Sequence, residues 1–161
     1  MQSKKIINLT DPTANQDGAT KKYVDDNISP SPSAADAVLI SSADTERSET
    51  GLTYVKLKEI EIGKTGTYRI KWQMKLFYGD VQRHGFSKVY KNGTTYGTEK
   101  VTYVDAYNDY SESSLSFAAG DKIQLYASVS EDTQGLGGEQ VDIQNFRIYA
   151  TEFDIANVIT D

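Results

Sequence analysis

The chain of 161 residues carries no cysteine, one histidine, and 23 acidic against 17 basic side chains, for a formal net charge of −6. This length holds one domain and a short appendage and excludes a large multidomain enzyme. The missing thiol excludes disulfide frameworks, zinc fingers, iron–sulfur sites and thiol nucleophiles, and the negative balance runs against nucleic-acid binding.

In chain order, Lys4 to Leu9 reads as a short strand, Asp11-Pro12-Thr13 as a turn, and Ala19 to Ile28 as two to three turns of helix with Asp17 at its N-cap. An isolated helix of that length is marginal in water, so it needs a partner to pack on. Ser29-Pro30-Ser31-Pro32-Ser33 then reads as an extended spacer, because each X-Pro step disfavours helix and the intervening residues are small and polar. The division is a neck with linker over residues 1–33 and a head domain over 34–161.

Beyond the spacer the hydrophobic period is two. From Gly66 to Tyr78, Tyr68, Ile70, Trp72, Met74 and Leu76 share one face, while Arg69, Lys71, Gln73 and Lys75 share the other. Asp121 to Ser130 repeats the pattern, with Ile123, Leu125, Ala127 and Val129 in phase. In the last long run Val141 and Ile143 are out of phase with Phe146, Ile148 and Ala150, which predicts a β-bulge near Gln144-Asn145. The same slip between Val55-Leu57 and Ile60-Ile62 places another near Lys58-Glu59.

Asn92-Gly93 between two strand-like runs is a strong hairpin signal, since both residues tolerate positive φ. Gly63 to Gly66, Ala119-Gly120-Asp121 and Gly135 to Gly138 supply further turns. Seven or eight strands with such turns, and no helical period between them, predict a mainly β fold, an antiparallel sandwich of the jelly-roll kind.

Tyr accounts for 11 residues against 5 Phe and 1 Trp, a surplus suited to contact faces where a ring meets apolar matter on one side and water on the other. Tyr103 and the segment Asp105 to Glu112, which holds Tyr107, Asn108, Asp109 and Tyr110, form the candidate ligand-binding region. The segment fits either an ordinary polar connection built on Asx turns or a sugar-contacting loop. In the second case carboxylate and amide oxygens accept hydroxyl hydrogen bonds and the rings stack on pyranose faces. Its spacing does not match a calcium-binding EF-hand loop.

The row Arg69, Lys71, Gln73 and Lys75 is the one local basic feature, suited to a solvated sheet face or to an acidic glycan. His84 stands without a second imidazole, and no serine lies in a nucleophile-elbow sequence, so no catalytic set is expected. No metal or cofactor is expected either. No stretch approaches the ~20 apolar residues of a membrane span, and the start lacks a signal-peptide apolar region, so the chain reads as unprocessed and without membrane partners.

Two short blocks, Lys5-Ile6-Ile7-Asn8-Leu9-Thr10-Asp11-Pro12-Thr13 and Gln16-Asp17-Gly18-Ala19-Thr20-Lys21-Lys22-Tyr23-Val24-Asp25, resemble a segment of bacteriophage tail-fibre and receptor-binding proteins. Gly18 departs from the Ala usual there. The order of Gly66 to Ile70, Val89 to Gly93, Leu115 to Leu125 and Phe146 to Tyr149 is similar to that in phage or bacterial jelly-roll head domains related in shape to tumour-necrosis-factor-like domains.

The resemblance implies a homotrimeric, virion-located protein whose N-terminal segment joins other virion tail proteins and whose head attaches to a host cell-surface glycan without catalysis. Two other readings stand beside it. One is a structural virion piece such as a capsid-decoration, baseplate or fibre-joining protein; the other is a surface-glycan-degrading enzyme.

Overall fold

The computed structural model describes residues 38–77, 83–130, 138–150 and 158–160. The neck strand, the neck helix, the Pro30–Pro32 spacer and the turn at Gly135 to Gly137 lie outside them. Among the described residues the chain forms strands β1 (Val38–Ala43), β2 (Arg47–Glu49), β3 (Val55–Glu61), β4 (Gly66–Phe77), β5 (Gly85–Lys91), β6 (Thr94–Thr95), β7 (Lys100–Thr102), β8 (Asn108–Phe117), β9 (Lys122–Val129), β10 (Gln140–Ala150) and β11 (Val158–Thr160). No helix occurs among these residues.

All pairings are antiparallel. One sheet, here sheet A, runs β1-β10-β4-β8 with β2 also on β10; the other, sheet B, runs β11-β3-β9-β5-β6 with β7 also on β5. The described head is therefore a mainly β, two-sheet antiparallel sandwich.

Burial explains why these residues choose strands. On β4, Tyr68, Ile70, Trp72, Met74 and Leu76 are each at most 1 % exposed, and the alternate residues Arg69, Lys71, Gln73 and Lys75 face outward. From sheet B, Ile60, Val89, Ile123, Leu125 and Ala127 meet them at 0 % exposure. Two half-apolar sheets can hide their apolar sides only against each other, and the low apolar fraction of the chain suffices because the layer between them is one side chain deep from each. Trp72 Nε1 donates to Ser87 Oγ at 3.0 Å across this layer, so the one buried indole is satisfied.

The expected bulge in β10 is present. Gln144 pairs with Gln73 and Arg147 with Lys71, so Asn145 and Phe146 together oppose Trp72, and Asn145 takes φ 52°. Asn tolerates the left-handed region better than most residues, which fits it to the extra position. The slip in β3 falls one residue earlier than expected, at Leu57, between the pairs Lys56–Tyr126 and Lys58–Leu125. Its consequence is that Lys58 shares register with core-facing Leu125 and is 1 % exposed.

A third bulge lies in β8, where Ser113 and Ser114 oppose Arg69 and Ser114 has φ 59°. The same kind of phase slip marks it in the sequence: Tyr110 and Glu112 are out of phase with Leu115 and Phe117. At the Asn92-Gly93 turn both residues have positive φ, 51° and 80°, and β5 pairs with β6 through Lys91–Thr94 and Tyr90–Thr95. This is the mirror-image turn that matches strand twist.

Strand β9 departs from simple alternation. Its outward Gln124 and Ser128 are only 6 % and 3 % exposed. β9 lies between β3 and β5, and the Gln124 amide is enclosed by donating to Glu59 Oε2 at 2.6 Å while its oxygen accepts from Gly93 N at 2.6 Å.

Candidate functional site

The outer face of sheet B collects aromatic rings from four separated segments. On β5, His84 precedes the strand and Phe86, Lys88 and Tyr90 follow at steps of two, so all four point to one side. Tyr126 pairs with Lys88 and Val101 with Phe86, which puts them on the same side.

Tyr90 and Tyr126 stack with ring centroids 4.0 Å apart, and Tyr54 meets Tyr90 at 6.4 Å. At the other end His84 stacks on Phe86 at 6.0 Å, and Tyr103 stands edge-on to His84 at 5.9 Å. Tyr103 is 55 % exposed and Val101 36 %. Phe86 to Tyr90 is four strand steps, about 13 Å, so the aromatic tract spans the width of two to three sugar rings.

Polar groups stand between the rings. Lys88 Nζ lies 5.1 Å from the Tyr54 ring centroid and 3.3 Å from Glu99 Oε2, while the Tyr54 hydroxyl donates to the same oxygen at 2.6 Å. Burial first, and the Glu99 carboxylate second, push the Tyr54 hydroxyl well above its ordinary range; the bond from Tyr54 and the charge of Lys88 pull Glu99 down. Both effects hold Tyr54 as the phenol and Glu99 as the carboxylate at neutral pH.

Nearby, Glu59 accepts from Gln124 and from Lys56 Nζ at 2.7 Å, with Lys122 Nζ 3.1 Å from its other oxygen. Those bonds, Gln124 foremost, bring its carboxyl down to about 2. The face thus carries aromatic rings beside ion-paired and hydrogen-bonding groups, an arrangement that offers both apolar and polar contacts.

The five residues singled out from the sequence fall in three places. Tyr103 joins the aromatic face of sheet B. Tyr107 lies over sheet A, with Lys75 Nζ 4.9 Å from its ring centroid and its hydroxyl donating to Glu46. Burial and the Glu46 carboxylate raise its hydroxyl pKa.

Asn108 opens β8 opposite Met74, and its amide donates to Ala106 O at 3.3 Å. Asp109 accepts from Gln73 Nε2 at 3.0 Å on the outer side of sheet A. Tyr110 packs on Trp72 with centroids 6.2 Å apart, and its hydroxyl donates to Val101 O at 3.1 Å. With Glu112, which accepts from Thr98 N at 2.8 Å, it closes the gap between the β8 edge of sheet A and β7 of sheet B.

Asp109 and Tyr110 do come together as lining of one depression on sheet A. Tyr54, Phe86, Tyr90 and Tyr126 were missed because their strands meet only in the folded sheet. The available signal was an aromatic at every second position in Phe86-Ser87-Lys88-Val89-Tyr90, on the side opposite Ser87 and Val89.

Among the described residues no group of three or more His, Asp or Glu side chains is arranged to hold a metal ion. No protein-family model matches the chain, and a search of curated proteins finds no match.

Proposed function

We propose that the protein is a virion-associated receptor-binding, tail-fibre protein whose head attaches a phage to a host cell-surface saccharide, and that it acts as a binding module without catalysis. The observation that carries the attachment reading is the aromatic tract Tyr103, His84, Phe86, Tyr90, Tyr126 and Tyr54 on one outer face. The phage setting rests on the two N-terminal blocks within residues 5–25.

Strand order supports a jelly roll as the finer description of the sandwich. From β3 to β5 and from β7 to β10 the chain crosses between sheets at each step, giving β10-β4-β8 against β3-β9-β5-β7. A homotrimer follows from the neck resemblance, and residues 1–33 would then join it to other tail proteins. Three heads on one axis convert weak sugar contacts into durable attachment by raising the effective concentration of the second and third contacts.

The test is competition for adsorption. Purified protein added to host cells should block phage attachment, and Tyr126→Ala or Tyr103→Ala should weaken the block. A folded protein that does not compete overturns the attachment reading in favour of a fibre-joining or baseplate role. Sedimentation giving a monomer at micromolar concentration overturns the trimer.

A further inference from the structure

The chain has no cysteine, yet one pair of side chains on sheet B stands where a covalent link between strands needs it. Tyr90 on β5 pairs in register with Gln124 on β9, which makes Tyr126 its diagonal neighbour. Diagonal neighbours in an antiparallel pair lie about 7–8 Å apart, within reach of two aromatic side chains. Here the rings close that gap, with centroids 4.0 Å apart and planes 25° from parallel. At that separation the carbons ortho to the two hydroxyls meet after small rotations of the side chains.

The surroundings select this pair. Tyr54, the third tyrosine of the cluster, meets Tyr90 only at 6.4 Å and 50°, and its hydroxyl is tied to Glu99 Oε2 at 2.6 Å. Tyr68 and Tyr96 make their ring contacts with Phe117, and Tyr110 with Trp72, rings that carry no phenol. Tyr90 and Tyr126 are half-buried, so a small oxidant reaches them while the sheet holds them in place. The chain has no thiol to lose an electron first, and Trp72 is shielded at 1 % exposure.

We propose that Tyr90 and Tyr126 form an oxidative cross-linking site, at which a one-electron oxidant such as a peroxidase intermediate joins the two phenols as dityrosine. Each phenol gives one electron to the oxidant and its hydroxyl proton to water. The two phenoxyl radicals carry spin on the carbons ortho to oxygen and couple there in one carbon–carbon bond. The hydrogen on each coupled carbon then shifts to its oxygen and restores the phenol, so the pair loses two electrons and two protons and nothing else leaves. The link staples β5 to β9 inside sheet B and closes a loop from residue 90 to residue 126, the part a disulfide plays in a chain that has cysteines. This reactivity goes beyond the attachment reading and does not depend on it.

The experiment photo-oxidises the dilute full-length protein with tris(bipyridine)ruthenium(II) and persulfate, and reads dityrosine fluorescence, denaturing gels and peptide mass spectra. The expected main product links the peptide holding Tyr90 to the peptide holding Tyr126 within one chain, lighter by two hydrogen atoms. Tyr90→Phe and Tyr126→Phe each keep a ring in the stack and remove one phenol, so each should lose most of the dityrosine signal. Tyr103→Phe should keep it. The linked protein should melt roughly 5–10 °C above the parent, as expected for closing a loop of this length.

Circular dichroism shows that each variant folds, and either phenylalanine variant alone suffices for the comparison. Dityrosine undiminished in the folded variants, or linkage mainly between chains or between other tyrosines, would overturn the site. So would the same linked pair in equal yield in urea, for the folded contact would then not be what directs the coupling. A linked product that melts with the parent would overturn the stapling role.

Discussion

The two outer faces of the sandwich are built by the same rule and finish with opposite chemistry. On sheet A the outward positions are filled by charged and amide side chains that pair along rows across the strands, as in Ser48–Asp142–Lys75 and Asp44–Arg147. On sheet B they are filled by rings that stack across the strands, as in Tyr90–Tyr126 and His84–Phe86. Cross-strand neighbours are about 5 Å apart in either case, close enough for ion pairs or stacked rings. Which contact forms is a matter of residue type alone. One consequence is that the exposed ion pairs of sheet A weaken with added salt, while the Tyr90–Tyr126 stack of sheet B does not depend on charge.

The contrast is open to attack at graded strength, beginning with the core the faces share. Trp72→Ala should cost about 3–5 kcal/mol in urea unfolding, since it empties the layer between the sheets and strands Ser87 Oγ. Fluorescence, on the remaining tyrosines, and circular dichroism should report one common transition; separate transitions would mean that the faces do not share one core.

Next comes Asp142→Ala on the charged face. Asp142 is 2 % exposed, accepts from Ser48 Oγ and Gln140 Nε2 at 2.6 Å each, and lies 3.3 Å from Lys75 Nζ. Removing it should cost about 2–4 kcal/mol because partly buried donors lose their acceptor. The exposed pair Asp44–Arg147 on the same face should be worth under about 1 kcal/mol on Asp44→Ala, for solvent already screens it. A larger loss at Asp44 than at Asp142 would remove burial as the deciding variable.

Sheet B carries the acid sensitivity expected of Glu59. Its carboxyl is at about 2 in the folded protein against an ordinary value of 4.5. The folded state therefore binds this proton more weakly than the unfolded chain. The stabilisation is complete above pH 4.5 and is lost as pH falls toward 2. Melting temperatures across that range should drop less steeply in Glu59→Gln than in the parent; equal slopes would discount the Lys56, Gln124 and Lys122 contacts.

The smallest effect on the aromatic face is Tyr126→Ala. Loss of the stacked pair should cost about 1 kcal/mol beyond the buried area and flatten the near-ultraviolet circular dichroism of the tyrosines.

Much of this was legible in the residues. The alternation in β4 and β9, the Asn92-Gly93 hairpin and the bulge at Asn145 each follow from local pattern, because a pleat has a period of two and a phase slip can be absorbed only by an extra residue. The bulge at Ser113-Ser114 left the same trace in the phase of Tyr110, Glu112, Leu115 and Phe117.

The site was less legible. Tyr103, Tyr107, Asn108, Asp109 and Tyr110 are close in the chain, yet alternate strand residues point to opposite sides, so Asp109 faces outward while Tyr110 leans on Trp72. Proximity in sequence scatters side chains between faces as readily as it gathers them. The tyrosines that do gather come from β9, β5 and the segment before β3, and their meeting depends on the order β3-β9-β5.

The sequence by itself determined that the chain makes strands, that it turns at Asn92-Gly93 and slips at Asn145, which side of β4 is apolar, and that the apolar sides suffice for a thin core. Those are local matters of backbone geometry and of transfer from water. Only the tertiary structure decided which strands became neighbours, and with that the composition of each outer face. Pairing is set by closure of two sheets over one shared core, a condition on all the strands at once that no single segment carries.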